Sequence, residues 1–126
     1  MIKTLMILGL LLCNINVYAD LNLELPTTHG IASFYKKGYR TSNGERYNRN
    51  AYTAASRYYP LGTLLEVWCP RKGTFVYVRV NDRGPYVKGR VIDLSARAAR
   101  TLGITGLGEV DIRPVRLTSG SHFGNL

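Results

Sequence analysis

Residues 63–85 read TLLEVWCPRKGTFVYVRVNDRGP, and this segment gives the clearest signal of the fold class. Apolar and polar residues alternate along Thr63–Cys69 and again along Thr74–Val80, which is the period of half-buried β-strands. Pro70–Gly73 separates the two runs, so together they predict a β-hairpin. The core face of the second strand is predicted to consist of Val76, Val78 and Val80.

Short strand-like runs separated by Gly, Pro, Asn and Asp lie on both sides of this hairpin. Four further strands are predicted: Gly30–Tyr35, a short one with a helical turn within Ala51–Tyr59, Gly89–Leu94 and Glu109–Leu117. Ser95 as the N-cap and Gly103 as the stop predict one helix over Ala96–Leu102. Six strands and one short helix in so few residues predict a small closed β-barrel, because closure removes exposed sheet edges.

The first nineteen residues have the pattern of an export signal. Lys3 gives a positive start, Thr4–Cys13 is almost wholly apolar, and Val17–Ala19 offers a cleavage site before Asp20. The apolar run is shorter than the about 20 residues that a membrane-spanning helix needs. The expected organisation is a signal peptide at 1–19, a lead-in at 20–29, one domain at 30–117 and a tail at 118–126. We expect the mature protein in the periplasm or elsewhere in the cell envelope.

The two cysteines and two histidines restrict the chemistry. A lipid anchor on Cys13 is the weaker alternative to cleavage after residue 19, because Leu12 is not the small residue that a lipobox requires. Signal removal leaves only Cys69, so we expect a buried thiol and no internal disulfide. His29 and His122 lie near the ends of the mature chain, which argues against a zinc site, a Cys/His protease and a Ser/His/Asp hydrolase. We expect neither a metal nor a cofactor.

The composition is that of a basic globular protein. Seventeen Lys and Arg oppose eight Asp and Glu, for a net charge of +9, and 45% of the residues are hydrophobic. In an exported protein this charge favours anionic cell-wall polymers or membrane surfaces over nucleic acid, although solubility alone also accounts for it. We expect a monomer with no nucleic-acid partner and no stable membrane insertion after signal removal.

Three segments each place an acidic residue at a turn or a strand end: Thr41–Glu45 (TSNGE), Asn81–Pro85 (NDRGP) and Arg90–Ser95 (RVIDLS). Each alone reads as an ordinary turn or a helix cap. In this order, with Gly30–Tyr35 ahead and Tyr52–Ser56 and Pro60–Gly62 between them, they resemble the rare lipoprotein A (RlpA) family of septal peptidoglycan lytic transglycosylases. The resemblance covers residues 30–117.

This resemblance implies a six-stranded double-psi β-barrel with one short helix, a fold shared with expansins. It implies endolytic cleavage of the MurNAc–GlcNAc bond of peptidoglycan glycan strands, with anhydro-muramic ends. By the same resemblance Asp82 is expected to be catalytic, Glu45 to lie in the same cleft, and Asp93 to lie in the polysaccharide groove. Ser56 stands where the family usually has a His. Many members also carry a C-terminal SPOR domain, and we expect none in this protein.

The remaining site predictions concern side chains around the three acids. Tyr35, Tyr47 and Tyr86 are expected to flank the groove, because tyrosines offer flat faces to sugar rings, although core packing is the alternative for such residues. Ser56 and Arg83 are expected to bind or orient substrate. Whether neighbouring carboxylates raise the pKa of the catalytic acid, or arginines such as Arg83 lower it, is left open.

Two function classes follow. The first is the transglycosylase, favoured because one carboxylate is enough when the 6-hydroxyl of the sugar attacks in place of water. The alternative is a non-catalytic, expansin-like module that binds glycan or loosens the wall. Ser56 favours that alternative, because a serine hydroxyl carries no proton near neutral pH.

Overall fold

The computed structural model describes residues 25–35 and 40–115. They form six strands and one helix: β1 Thr28–Phe34, β2 Thr53–Ala55, β3 Leu64–Cys69, β4 Thr74–Asp82, β5 Arg90–Leu94, α1 Ala96–Leu102 and β6 Gly108–Pro114. The signal peptide and the tail predicted from the sequence lie outside the described residues. Strand β1 begins at Thr28, two residues inside the predicted lead-in.

The strands close into a barrel with the order β1-β5-β2-β4-β3-β6. β1 pairs with β5 and β2 with β4 in parallel, whereas the other pairs are antiparallel. The hairpin predicted from residues 63–80 is confirmed as β3 and β4, in register from Leu64 opposite Arg79 to Cys69 opposite Thr74. The six-stranded barrel with one short helix is likewise confirmed.

The barrel is filled by small and β-branched side chains. Its buried residues include Ala32, Ala54, Leu65, Val67, Val76, Val78, Val80, Ile92, Leu94, Val110 and Ile112. The predicted core face of β4 is therefore confirmed, and the intervening residues Phe75 and Tyr77 point outward. Gly30 permits close packing of β1 on β5, because a Cβ there would lie 2.5 Å from Val91 Cγ1.

Helix α1 begins and ends as the sequence predicted. The Ser95 hydroxyl accepts a hydrogen bond from the Ala98 N–H and donates one to the Ala51 carbonyl at 2.6 Å. Gly103 ends the helix in the left-handed region with φ 81°. The predicted helical turn before Pro60 does not form, since residues 57–59 are bends. No helix among the described residues is long and apolar enough to cross a membrane.

Candidate functional site

Strand β2 lies between β4 and β5, so two of the predicted acids, Asp82 and Asp93, lie on the strands on either side of it. Ala55 is paired with Asp82 of β4 on one side and with Asp93 of β5 on the other. Ser33 of β1 is paired with Asp93 in turn. We call these four residues the acid row. Two strand spacings separate the Asp82 and Asp93 backbones, or about 10 Å.

Asp82 is held through one of its two carboxylate oxygens. Its Oδ1 accepts hydrogen bonds from the Ser42 N–H at 2.9 Å, from the Ser42 hydroxyl at 2.7 Å and from the Arg83 N–H at 2.8 Å. All three donors are neutral groups. Oδ2 accepts no hydrogen bond from the described residues.

Glu45 lies beside Asp82 and is held as an anion. The Arg79 guanidinium donates to both carboxylate oxygens, at 2.7 and 2.9 Å. The side-chain amides of Asn43 and Asn81 donate at 2.7 and 3.3 Å. Hydrogen bonds from Arg79 above all, and then from the two amides, lower the pKa of Glu45 to about 2. Glu45 is therefore ionised at neutral pH and is no proton donor there.

One turn, residues 41–45, connects these two carboxylates. The turn is closed by the Gly44 N–H to the Thr41 carbonyl at 2.9 Å, and Gly44 takes a φ of 89°, which suits glycine. The turn lies along the end of β4, because its Ser42 contacts Asp82 and its Glu45 contacts Arg79. Asp82 and Glu45 are therefore parts of one hydrogen-bonded unit.

Asp93 lies between Ala55 and Ser33 in the acid row. It is partly exposed, and the Ser33 hydroxyl donates to its Oδ1. Like Asp82, Asp93 has a hydroxyl as its side-chain partner among the described residues, whereas Glu45 has a guanidinium.

Tyr35 and Tyr47 pack against each other near the acid row. Their ring centroids are 4.5 Å apart, and the Tyr47 hydroxyl donates to the Tyr35 carbonyl at 2.7 Å. Burial raises the pKa of Tyr35, and the negative charges of Asp82 and Asp93 raise it further. Its buried hydroxyl has no hydrogen-bond partner among the described residues. Tyr35 thus remains a neutral phenol close to both acids.

Ser56 and Arg83 support the backbone below Asp82. Ser56 is 1% exposed, and its hydroxyl accepts hydrogen bonds from the N–H groups of Tyr58 at 3.1 Å and Tyr59 at 3.2 Å. The Arg83 guanidinium donates to the carbonyls of Ser56 and Tyr59, at 3.0 and 2.6 Å. These bonds engage both side chains with the backbone, and the Arg83 guanidinium is not hydrogen-bonded to the Asp82 carboxylate.

Tyr86 is the most exposed of the predicted site residues. It is 77% exposed, and its ring lies 5.8 Å from the Arg57 guanidinium. It is not part of the Tyr35–Tyr47 pair, but it follows Asp82 by only four residues. Tyr86 can therefore contact a ligand only at the edge of the site.

Sequence reasoning missed the residues that hold the acids. They are Ser33, Ser42, Asn43, Arg79 and Asn81. All but Arg79 lie inside the motifs named in the sequence analysis. A hydroxyl or an amide within such a motif is the signal that could have identified them. Arg79 gives no local signal, because an outward-facing arginine on a strand looks like a solvent-exposed residue. In the described part of the chain, no cluster of His, Cys, Asp and Glu is arranged to hold a metal ion.

The closed mixed barrel is a double-psi β-barrel. Comparison with known protein families shows which family with this fold the chain belongs to. Residues 27–114 match the family described as lytic transglycolase, and the chain belongs to this family. The expected fold and the resemblance to RlpA proteins are thereby confirmed.

Curated relatives agree with this assignment. The chain is 57% identical over 86 residues to a probable endolytic peptidoglycan transglycosylase RlpA of Synechocystis sp., covering 64% of this chain and 27% of that protein. It is 47% identical over 103 residues to the endolytic peptidoglycan transglycosylase RlpA of Campylobacter jejuni, covering 79% of this chain and 38% of that protein. The chain thus spans less than half the length of these relatives.

Solved structures include expansins. The apo expansin of Clavibacter michiganensis is 29% identical with a TM-score of 0.60, covering 75% of this chain and 53% of that one. A mutant of the same expansin in complex with cellohexaose is 28% identical with a TM-score of 0.60, covering 76% and 54%. The Streptomyces papain inhibitor, at 20% identity and a TM-score of 0.61 over 75% of this chain and 98% of that one, shares the fold alone.

Proposed function

We propose that this protein is an endolytic peptidoglycan transglycosylase, with Asp82 as the group that transfers the proton. The observation that carries the proposal is the contrast within one hydrogen-bonded unit: Glu45 is fixed as an anion, whereas Asp82 is bound by neutral donors through one oxygen only. The names of the curated relatives support the same reaction and the same substrate class.

The reaction requires two proton transfers, one from Asp82 to the leaving oxygen and one from the attacking 6-hydroxyl back to Asp82. Asp82 donates a proton from Oδ2 to the glycosidic oxygen as the bond from that oxygen to C1 of the muramic acid breaks. The 6-hydroxyl of the same sugar then forms a bond to C1 and returns its proton to Asp82. The products are a glycan with a free 4-hydroxyl and a 1,6-anhydro-muramic end, and Asp82 is regenerated without water.

Glu45 and Asp93 are assigned supporting roles. Positive charge develops on the sugar ring in such a transition state, and an anionic carboxylate close to it is stabilising. Glu45, which Arg79 keeps ionised at neutral pH, suits this role and also keeps the 41–45 turn on Asp82. We assign Asp93, about 10 Å along the acid row, to accept hydroxyl hydrogen bonds from a neighbouring sugar.

The tyrosines and Ser56 are assigned to positioning. Tyr35 is a neutral phenol close to Asp82 and Asp93, and we assign its ring to the wall that orients the substrate beside them. Tyr47 orients Tyr35, whereas Tyr86 contacts the sugar chain at the rim. Ser56 and Arg83 act through the backbone that carries Asp82, since the Ser56 N–H donates to the Asp82 carbonyl at 3.1 Å.

Product analysis tests the proposal. The purified protein is incubated with intact and with peptide-stripped peptidoglycan, and the released glycans are identified by mass spectrometry. Anhydro-muramic ends are expected. Reducing ends would indicate a hydrolase instead, and binding without any product would overturn the enzymatic assignment.

A non-catalytic glycan-binding module is the second candidate. Two observations favour it: the similarity to expansins, one of them solved with cellohexaose, and the fully buried Ser56, whose hydroxyl is engaged by backbone N–H groups. The same incubation separates the candidates, because a module binds peptidoglycan with no released fragments. In either case we place the protein in the cell envelope as a monomer that needs no cofactor.

A further inference from the structure

Three aromatic side chains form an exposed strip on the outer face of the β3–β4 hairpin. Trp68, Phe75 and Tyr77 are 37%, 50% and 39% exposed. Trp68 and Phe75 are cross-strand partners with ring centroids 6.4 Å apart and ring planes within 28°. The Tyr77 ring meets Phe75 edge-on at 5.6 Å. We call these three residues the hairpin strip. None of them belongs to the acid row.

We propose that the hairpin strip is a second glycan-binding surface, which holds the peptidoglycan strand beyond the cleavage site. The inference rests on the proposed function, because it assumes the same glycan substrate. Contiguous exposed aromatic side chains on a soluble domain mark an interaction surface. Flat aromatic faces with polar groups at their edge suit pyranose rings, which present C–H faces and equatorial hydroxyls.

Polar groups border the rings of the hairpin strip. The Tyr77 hydroxyl donates to Glu66 Oε2 at 3.3 Å, and Arg113 binds Glu66 Oε1 at 2.8 Å. At the far end, the hairpin turn carries Arg71 and Lys72, both exposed. Sugar hydroxyls can pair with the Tyr77 and Glu66 oxygens, whereas the basic groups complement the carboxylates of the peptide stems.

The hairpin strip is continuous with the candidate active site. The next outward residue on β4 after Tyr77 is Arg79, which binds Glu45 of the 41–45 turn. That turn reaches Asp82 through Ser42. Phe75 and Asp82 are seven residues apart on one strand, which is about 23 Å. A glycan that reaches from Asp82 to Phe75 must therefore be several sugars long, and short fragments fill only the cleft.

Trp68 provides a direct test, because it is the single tryptophan of the chain. Its fluorescence is recorded in an Asp82→Asn background, which prevents turnover, while long peptide-bearing glycan strands or short fragments are added. Long strands are expected to change the emission saturably, whereas short fragments leave it unchanged. Saturating binding of long strands with no change in emission would overturn the proposal.

A variant pair tests affinity. Phe75→Thr combined with Tyr77→Thr keeps residues that suit an exposed strand, and Leu107→Ser removes an exposed hydrophobic side chain elsewhere. The double variant is expected to bind long strands roughly tenfold more weakly, with unchanged turnover of short fragments, while Leu107→Ser behaves like the wild type. Wild-type affinity in the double variant would contradict the proposal. A protein partner would then be the alternative ligand of the hairpin strip.

This design separates the two proposals. Binding and Trp68 emission are measured without turnover, so they test the hairpin strip even if no anhydro-muramic product forms. Absence of product with intact strip binding would contradict the enzymatic function alone. Product formation with no effect of the double variant on long strands would contradict the strip alone.

Discussion

Glu45 and Asp82 are two carboxylates of one small unit, yet their surroundings differ in charge. Glu45 receives a bidentate guanidinium and two amides, which lower its pKa to about 2. Asp82 receives one hydroxyl and two backbone N–H groups, all on Oδ1. On the proposed function, the two neighbouring acids take separate roles through their partners: Glu45, paired with a cation, provides fixed charge, and Asp82 transfers the proton.

The largest effect is expected from substitution of Asp82, to which the proposed function assigns proton transfer. Asp82→Asn preserves the size of the side chain but removes the proton that it transfers. Release of anhydro-muramic glycans should fall at least about 10²-fold while binding to peptidoglycan is retained. Mass spectrometry of products and sedimentation with peptidoglycan measure the two quantities. Glu109→Gln, at an exposed acid of β6, is the matched control and should be fully active. Equal release from wild type and Asp82→Asn would remove Asp82 from the mechanism.

The second effect concerns the backbone that positions Asp82. Ser56→Ala leaves the N–H groups of Tyr58 and Tyr59 without their acceptor, and the Tyr59 N–H is buried. Stability should fall by about 2 kcal/mol, measured by chemical denaturation. Because the Ser56 hydroxyl bonds only uncharged backbone N–H groups, the loss should be the same at pH 3 and pH 7. If Ser56→Ala left the stability unchanged, the bend at residues 57–59 would not depend on this hydroxyl.

The third effect follows from the lowered pKa of Glu45. A depressed folded-state pKa stabilises the fold above the unfolded value of 4.5, and this stabilisation is lost as the pH falls towards about 2. Glu45→Gln should therefore cost about 1 kcal/mol at pH 7, since the pair is partly exposed and screened, and the cost should disappear below the folded-state pKa of about 2. Unfolding curves across this range measure the difference. A cost independent of pH would mean that Glu45 acts through packing.

The same substitution also separates the roles of Glu45 and Asp82 through its effect on product release. Glu45→Gln should lower product release by less than Asp82→Asn does, roughly tenfold, because it removes charge and not the transferred proton. Arg79→Gln removes the other half of the ion pair and is the matched variant. Losses as large as that of Asp82→Asn would indicate that the two carboxylates act as a pair.

The smallest effect concerns an ion pair away from the acid row. His29 Nδ1 lies 2.6 Å from Asp111 Oδ1 at the pairing of β1 with β6. The hydrogen bond to Asp111 raises the pKa of His29 above 6.5. Its stabilisation is present below pH 6.5 and is lost as the pH rises through the folded-state pKa. NMR titration of His29 should show a raised midpoint that Asp111→Asn returns towards 6.5, and an unchanged midpoint would contradict the pairing.

Much of the fold could be predicted because the relevant signals are local. Alternation along β3 and β4, and the helix limits at Ser95 and Gly103, depend on residues a few positions apart. The motif order was sufficient to indicate the family. The helical turn expected before Pro60 failed, because the Ser56 hydroxyl accepts hydrogen bonds from two N–H groups of a bend.

By itself, the sequence determined the strands, the helix, the barrel class and three acid-bearing motifs, because periodicity, capping and turn chemistry act over short distances. Only the tertiary structure decided how the acids are partnered. Ser42 meets Asp82 across 40 residues, and Ser33 meets Asp93 across 60. These contacts arise from β2–β4 and β1–β5 pairing and from one turn folded onto β4. The ionisation of a carboxylate depends on the charge within a few ångströms, and no local pattern encodes which side chain a distant strand brings there.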